Sequence, residues 1–188
     1  MSLDRIFKSV VLCAASCVPL LIQQKIDRSD FFNRSWSEYK VGFNDFNGNY
    51  WLGNELLSHL TLTDRYQLKF DLQSRRTSKW YYAAYGTFRV LKEASKYRLE
   101  VDGYSGDAGH DALGYSNGRM FSTYDRDNDR WASTNCAAVT GGGFWHKRCT
   151  ECDVNSVGDD SLGSHSFGWK GLPGGAALQT SRMWLQCK

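Results

Sequence analysis

Residues 66–73 read TyrGlnLeuLysPheAspLeuGln, alternating apolar and polar without a break. A period of two is that of a half-buried β-strand, with Tyr66, Leu68, Phe70 and Leu72 turned inward. Tyr82 to Val90 and Tyr97 to Val101 read as further strands. Ser35-Trp36-Ser37-Glu38 fits a capping box, Ser35 as N-cap and Glu38 reaching back, and opens a short helix that stops near Gly42. Asn54 is predicted to cap a second helix, Glu55 to Leu60. The pattern is α+β: an antiparallel sheet with short helices. After Gly103 the regular periods stop, and Gly, Asn, Asp and Ser dominate. A half-chain of that kind has a weak core of its own and needs covalent or ionic staples.

The chain of 188 residues is long enough for one good core or two small ones. Aromatic residues make up 14% and charged residues 23%, the composition of an ordered globular protein. A net charge of +3, with no basic run, argues against nucleic acid as partner. At the start, Arg5 and Lys8 precede an apolar run from Val10 to Leu21, too short to span a bilayer. Ala14-Ala15-Ser16 would serve as a cleavage site of small residues, so residues 1–16 read as a secretory signal peptide. The alternative reads Leu20-Leu21-Ile22 as a core strand, and both hold if cleavage falls near Ser16. Asn33-Arg34-Ser35 is a glycosylation sequon, meaningful in a secreted chain.

Chemistry concentrates in the loop-rich half. TyrAspArgAspAsnAspArgTrp, residues 124–131, places Asp125, Asp127 and Asp129 at alternate positions. It is not an EF-hand loop, because the sixth position is Arg130 and the twelfth Cys136. What remains is a short loop of hard oxygen donors: either a site for Ca²⁺, which tolerates a flexible shell, or a solvated acidic turn. Cys149-Thr150-Glu151-Cys152, with His146 before it, allows a redox pair, a zinc site completed by Cys136 or Cys187, or a disulfide framework. The loop-rich context favours disulfides. No GxSxG, HExxH or Walker loop occurs, and His59, His110, His146 and His165 are scattered, so a non-enzymatic binding module is expected.

Several stretches together resemble the fibrinogen C-terminal-like domain, also called the fibrinogen-related domain. They are PheAsnArgSerTrpSerGluTyrLysValGlyPhe (32–43), AsnGlyAsnTyrTrpLeuGlyAsnGlu (47–55), GlyTyrSerGlyAspAlaGly (103–109), SerAsnGlyArgMetPheSerThrTyrAspArgAspAsnAsp (116–129), AsnCysAla (135–137), GlyGlyGlyPheTrp (141–145) and TrpLysGly (169–171). Order and spacing agree over about residues 22–185. The resemblance implies a structural Ca²⁺ held by the carboxylates of Asp127 and Asp129 and the carbonyls of Trp131 and Ser133. The segment from Asp129 to Cys136 is one residue longer than in most relatives. It also implies a disulfide between Cys136 and Cys149 and a cis peptide at Arg148–Cys149. In relatives that peptide shapes a pocket for acetyl groups or peptide termini, here mapped to Arg148, Cys149, Thr150 and Thr140. Thr150 and Thr140 replace a His and a Tyr, and the segment around Ser161 to Gly163 is shortened, so the resemblance alone does not imply acetyl-sugar recognition. The usual N-terminal subdomain has no counterpart in residues 17–188. Cys152 and Cys187 are additional, and their pairing is conceivable.

The function implied is secreted, calcium-stabilised recognition of glycans or acetylated groups at a cell or microbial surface, of innate-immune type. The alternative is a matrix or adhesion protein, or a receptor ligand, that binds protein; homo-oligomers suit both.

Overall fold

The computed structural model describes residues 18–159 and 166–188. The expected signal peptide and the segment from Ser161 to Gly163 lie outside them. The alternating stretch is strand β4, Tyr66–Ser74, and every second side chain from Tyr66 onward is buried. It pairs antiparallel with β5, Trp80–Val90, which pairs with β6, Leu99–Gly106. On its other side lies β9, Leu178–Cys187, and beyond that β1, Leu20–Lys25. Two short strands, β2 (Phe43–Asn44) and β3 (Tyr50–Trp51), extend the sheet past β1. The order is β2-β3-β1-β9-β4-β5-β6, and β7 (Cys152–Asp153) with β8 (Gly168–Trp169) forms a separate pair.

The third predicted strand starts later than Tyr97, because Tyr97 takes a left-handed φ of 49° at the end of the turn before β6. Leu20-Leu21-Ile22 is indeed strand. The sequence reading contained no β9. Helix α1, Trp36–Val41, carries the expected capping box: Ser35 Oγ accepts from the Glu38 amide, and the Glu38 carboxylate accepts from the Ser35 amide at 2.9 Å. Helix α2 spans Asn54–Thr61, but Asn54 does not cap it. Gly53 precedes the helix at φ 105°, where a side chain would stand 2.8 Å from the Val41 carbonyl. Asn54 itself is fully buried within the first turn.

The half-chain after Gly103 was expected to have a weak core of its own. Instead Phe121, Phe144, Trp145, Phe167, Trp169, Leu178, Met183 and Leu185 join the same core as Leu68, Phe70 and Tyr85. Its centre is aromatic. Trp145 packs edge-on against Phe121 (5.3 Å between centroids) and Phe144 (5.1 Å), and its Nε1–H donates to the Tyr97 carbonyl at 2.7 Å. Tyr39 packs against Phe121 (5.1 Å), and its hydroxyl both donates to the Phe32 carbonyl and accepts from the Gly143 amide. Gly143 allows this approach, since a Cβ there would meet the Tyr39 ring at 2.6 Å.

Two ionisable groups are buried where the small β7–β8 pair meets the large sheet. Lys25 donates to the Ser29 carbonyl at 2.6 Å, its ammonium between the rings of Phe32 (5.2 Å) and Phe167 (5.4 Å). Burial lowers its pKa to about 8. Asp153 accepts from the Ser156 amide at 3.0 Å, and burial pushes its carboxyl up to about 8. A carboxyl with a raised folded pKa stabilises fully below its unfolded value, 3.8, and loses that contribution as pH rises through about 8. Lys25 has the opposite limb, giving stability above 10.5 that is lost as pH falls through about 8. Urea denaturation at intervals between pH 4 and 8 should therefore show stability falling with pH more steeply in the wild type than in Asp153→Asn. Equal slopes would mean that Asp153 is ionised in the folded state across this range.

Candidate metal loop and adjoining pocket

The acidic loop runs from the end of a short bridge, Ser122 with Phe144, to helix α3, Cys136–Thr140. Its three aspartates do different things. Asp125 accepts from the Trp36 amide at 2.9 Å and from Thr123 Oγ1 at 2.7 Å. The first-turn amides of α1 have no partner within the helix and carry a positive partial charge, so a carboxylate is stabilised there. Asp125 is thus engaged by a helix 89 residues away. Asp127 Oδ1 accepts from the Asp129 amide at 3.0 Å. Asp129 accepts from the Trp131 amide through Oδ1 (2.6 Å) and from the Cys136 amide through Oδ2 (2.7 Å). Burial raises the pKa of Asp129 against the pull of those two amides, and the charge of Asp127 adds to the rise. Arg126, the cation between the first two aspartates in sequence, is turned away, over the Trp36 ring at 4.3 Å and toward Glu93 at 3.8 Å.

Two residues that the sequence reading passed over hold this loop. Asn128 donates its side-chain amide to the Phe121 carbonyl at 2.8 Å. Asn135 donates to the carbonyls of Thr123 (3.0 Å) and Tyr124 (3.1 Å) and caps α3 by accepting from the Ala138 amide. The second was legible as an N-cap residue just before CysAlaAla. Among the described residues no three His, Cys, Asp or Glu side chains gather as a metal group. A metal here would rest on Asp127, Asp129 and main-chain carbonyls. Those donors are hard oxygens; Asp129 is half-buried and Asp127 exposed, and Arg126 is turned away from both. The set fits Ca²⁺ and does not fit zinc. The Trp131 carbonyl accepts from the Thr134 amide at 3.0 Å, and its second lone pair is available.

Beyond α3, Cys136 and Cys149 are disulfide-bonded with Cα atoms 5.4 Å apart, and the Arg148–Cys149 peptide is cis. A zinc site through Cys149 is therefore ruled out by its bond to Cys136, and His146 is buried with Nε2 3.1 Å from the Gly142 carbonyl. Cys152 is a free, buried thiol, whereas Cys187 is disulfide-bonded, so these two do not pair. The four residues expected to line a ligand pocket are not together at a surface. Thr140, Cys149 and Thr150 are buried. Thr150 Oγ1 donates to the Cys152 carbonyl at 2.6 Å, and Thr140 Oγ1 turns to the Gly142 carbonyl at 3.4 Å. A threonine hydroxyl is short enough to be satisfied by backbone two residues away, which draws it inward. Only Arg148 reaches solvent, its guanidinium 5.4 Å from the Trp131 ring. Asn33 is exposed on a turn, at the rim of a polar cleft of about 420 Å³.

Comparison with known proteins bears on this arrangement. The family model for the C-terminal globular domain of fibrinogen beta and gamma chains matches residues 13–186. The chain belongs to the fibrinogen-related family. Mouse tenascin is 43% identical over 81% of the chain. Human ficolin-3 is 35% identical over 79%, and fibrinogen-like protein A of Apostichopus parvimensis is 40% identical over 82%. The match spans 7% of the tenascin, 50% of the ficolin and 55% of the fibrinogen-like protein. Among solved structures, the fibrinogen-like globe domain of human ANGPTL2 superposes with a TM-score of 0.78 at 30% identity, covering 90% of this chain and 80% of that one. Lamprey fibrin D-dimer, solved with the peptide Gly-His-Arg-Pro-amide, gives 0.72 at 29% identity, covering 89% and 60%. Fibrinogen-related domains are in general non-enzymatic and serve recognition or adhesion, binding protein or carbohydrate, and relatives such as tenascin and ficolin are extracellular. No described helix is long and apolar enough to cross a membrane.

Proposed function

We propose that this fibrinogen-related domain is a secreted, calcium-ordered recognition module of the adhesion type, whose ligand is a protein. The observation that carries this reading is the burial of Thr140 and Thr150, the Thr150 hydroxyl spent on the Cys152 carbonyl and that of Thr140 turned inward. A pocket for an acetylated sugar needs an open wall beside Cys149, and two inward-turned threonines do not build one. Calorimetry with N-acetylglucosamine is expected to register no binding at millimolar sugar. Tight, calcium-dependent sugar binding would replace this reading with the lectin one. If the chain is secreted, the exposed Asn33 sequon is expected to carry a glycan.

The metal contributes structure. Bound Ca²⁺ would supply the positive centre that Asp127 and Asp129 lack. Extracellular modules hold calcium at about 10⁻⁴–10⁻³ M. At ten times that dissociation constant the ion adds about 1.4 kcal/mol by mass action. The wild type should therefore melt higher in millimolar CaCl₂ than in EDTA, and the Asp127→Ala, Asp129→Ala double variant should lose that difference. Asp125→Ala should keep the calcium increment but lose about 1 kcal/mol in both buffers, as removal of a helix cap does. A wild type with the same melting temperature in both buffers would make the loop a solvated turn.

A further inference from the structure

A second surface lies beside the loop, and neither the proposed calcium nor the buried threonines account for it. Arg119, Arg130, Lys147 and Arg148 come from three chain segments and meet there. The Arg130 amide donates to the Lys147 carbonyl at 2.9 Å. Lys147 Nζ stands 4.3 Å from the centre of the Tyr115 ring, and the Arg148 guanidinium lies 5.4 Å from that of Trp131. Arg119 is half-buried, its Nε–H donating to the Asn117 carbonyl at 3.3 Å. Its pKa is lowered, by burial first and then by the charge of Arg130.

Among the described residues none of these four cations has a carboxylate within ion-pair distance. Asp127 is exposed in the acidic loop and accepts from the Asp129 amide; the other acids around the loop are engaged elsewhere. Glu93 holds Lys40 and Arg126. Glu151 holds His110 and Lys170. Asp125 sits on α1, and Asp129 on the amides of Trp131 and Cys136. Like charges gathered without a counter-charge repel, and two aromatic rings fix two of them in place instead of letting them swing apart.

We propose that this patch docks an acidic polysaccharide, whose sulfate or carboxylate groups bridge Arg119, Arg130, Lys147 and Arg148. The planar guanidinium pairs with such groups through two parallel hydrogen bonds, and a linear polyanion supplies charge continuously along a stretch of surface. A protein partner at this patch would have to present an acidic segment of matching spacing, whereas an acidic polysaccharide carries such groups at every repeat. The site goes beyond the calcium-ordered adhesion reading: Arg119 and Lys147 lie outside the acidic loop, and Arg130 lies within it.

The test is calorimetry of the whole chain with a size-defined heparin oligosaccharide at physiological salt, in calcium and in EDTA. Arg119→Ala and Lys147→Ala should each weaken binding about tenfold, the loss of one charge-assisted contact. Each should also lower the slope of log affinity against log salt by about one. The Arg76→Ala, Lys79→Ala pair, exposed on the β4–β5 turn, removes two charges far from the patch along the chain and should leave binding within twofold. If Arg119→Ala fails to fold, Arg130→Ala, with its exposed side chain, makes the same comparison. Absence of heparin binding, equal loss from the turn pair, or tighter binding of polyglutamate than of heparin would each overturn the proposal. The last two would point to diffuse net charge and to an acidic peptide, respectively. Loss of the calcium response with heparin binding intact would sink the loop reading alone.

Discussion

Trp145→Ala is expected to destabilise the domain by about 3–5 kcal/mol, the range for removing a large buried aromatic side chain. Its ring touches Trp51, Phe88, Phe121 and Phe144, contributed by different elements on both sides of the chain's midpoint. Truncation also leaves the Tyr97 carbonyl without the indole N–H at 2.7 Å, and an orphaned buried acceptor costs about 1–3 kcal/mol. The two costs overlap, because a cavity can admit water to the carbonyl. Against a typical total of about 5–15 kcal/mol, the variant should be close to unfolded at room temperature. Trp145→Phe keeps most of the packing and loses the donor, so it should fall between. Urea denaturation decides the matter: a loss below about 1 kcal/mol for the alanine variant would mean that the aromatic centre repacks.

The second large effect is expected at the disulfide. Cys136 and Cys149 are 13 residues apart, and closing a loop of that size stabilises by about 3 kcal/mol in the chain-entropy model. The Cys136→Ala, Cys149→Ala variant removes this bond alone, whereas a reducing agent would also open the disulfide of Cys187. Because the Cys136 amide donates to Asp129, the same variant should show a smaller calcium increment in its melting temperature. An unchanged increment alongside the loss of stability would mean that the loop is ordered without help from the bridge.

What the residues disclosed in advance depended on how local each cause is. The alternation of β4 and the capping box of α1 are contained in eight and four consecutive residues, and both were readable. Strand β9 was not, although it lies at the heart of the sheet. Its inward set includes Thr180 and Ser181, and a register shift between Leu178 and Thr180 breaks the period of two. The acidic run drew attention as three like charges, yet the duty of Asp125 is set by a helix 89 residues upstream. The same holds for Thr140 and Thr150. Their identities could be read as departures from a pattern, but their burial comes from the way α3 packs against the chain on its C-terminal side. The cationic patch drew no notice because its members are dispersed at 119, 130, 147 and 148 and only the fold gathers them.

The position of β9 has a consequence for how the chain is made. β2, β3 and β1 form one group of strands, β4, β5 and β6 another, and β9 is the strand that joins them. It is also the last of the seven to leave the ribosome. Until residues 178–187 emerge, β1 and β4 each expose a row of unpaired amides and carbonyls, and the apolar faces of the two groups have no common wall. The nascent chain must therefore wait, with both edges open to the wrong partner, for residues 178–187 to close the sheet from the middle. Synthesis arrested upstream of Leu178 would yield two half-sheets prone to aggregate, and a ribosome-bound chain should gain protease resistance abruptly once that segment has cleared the exit tunnel.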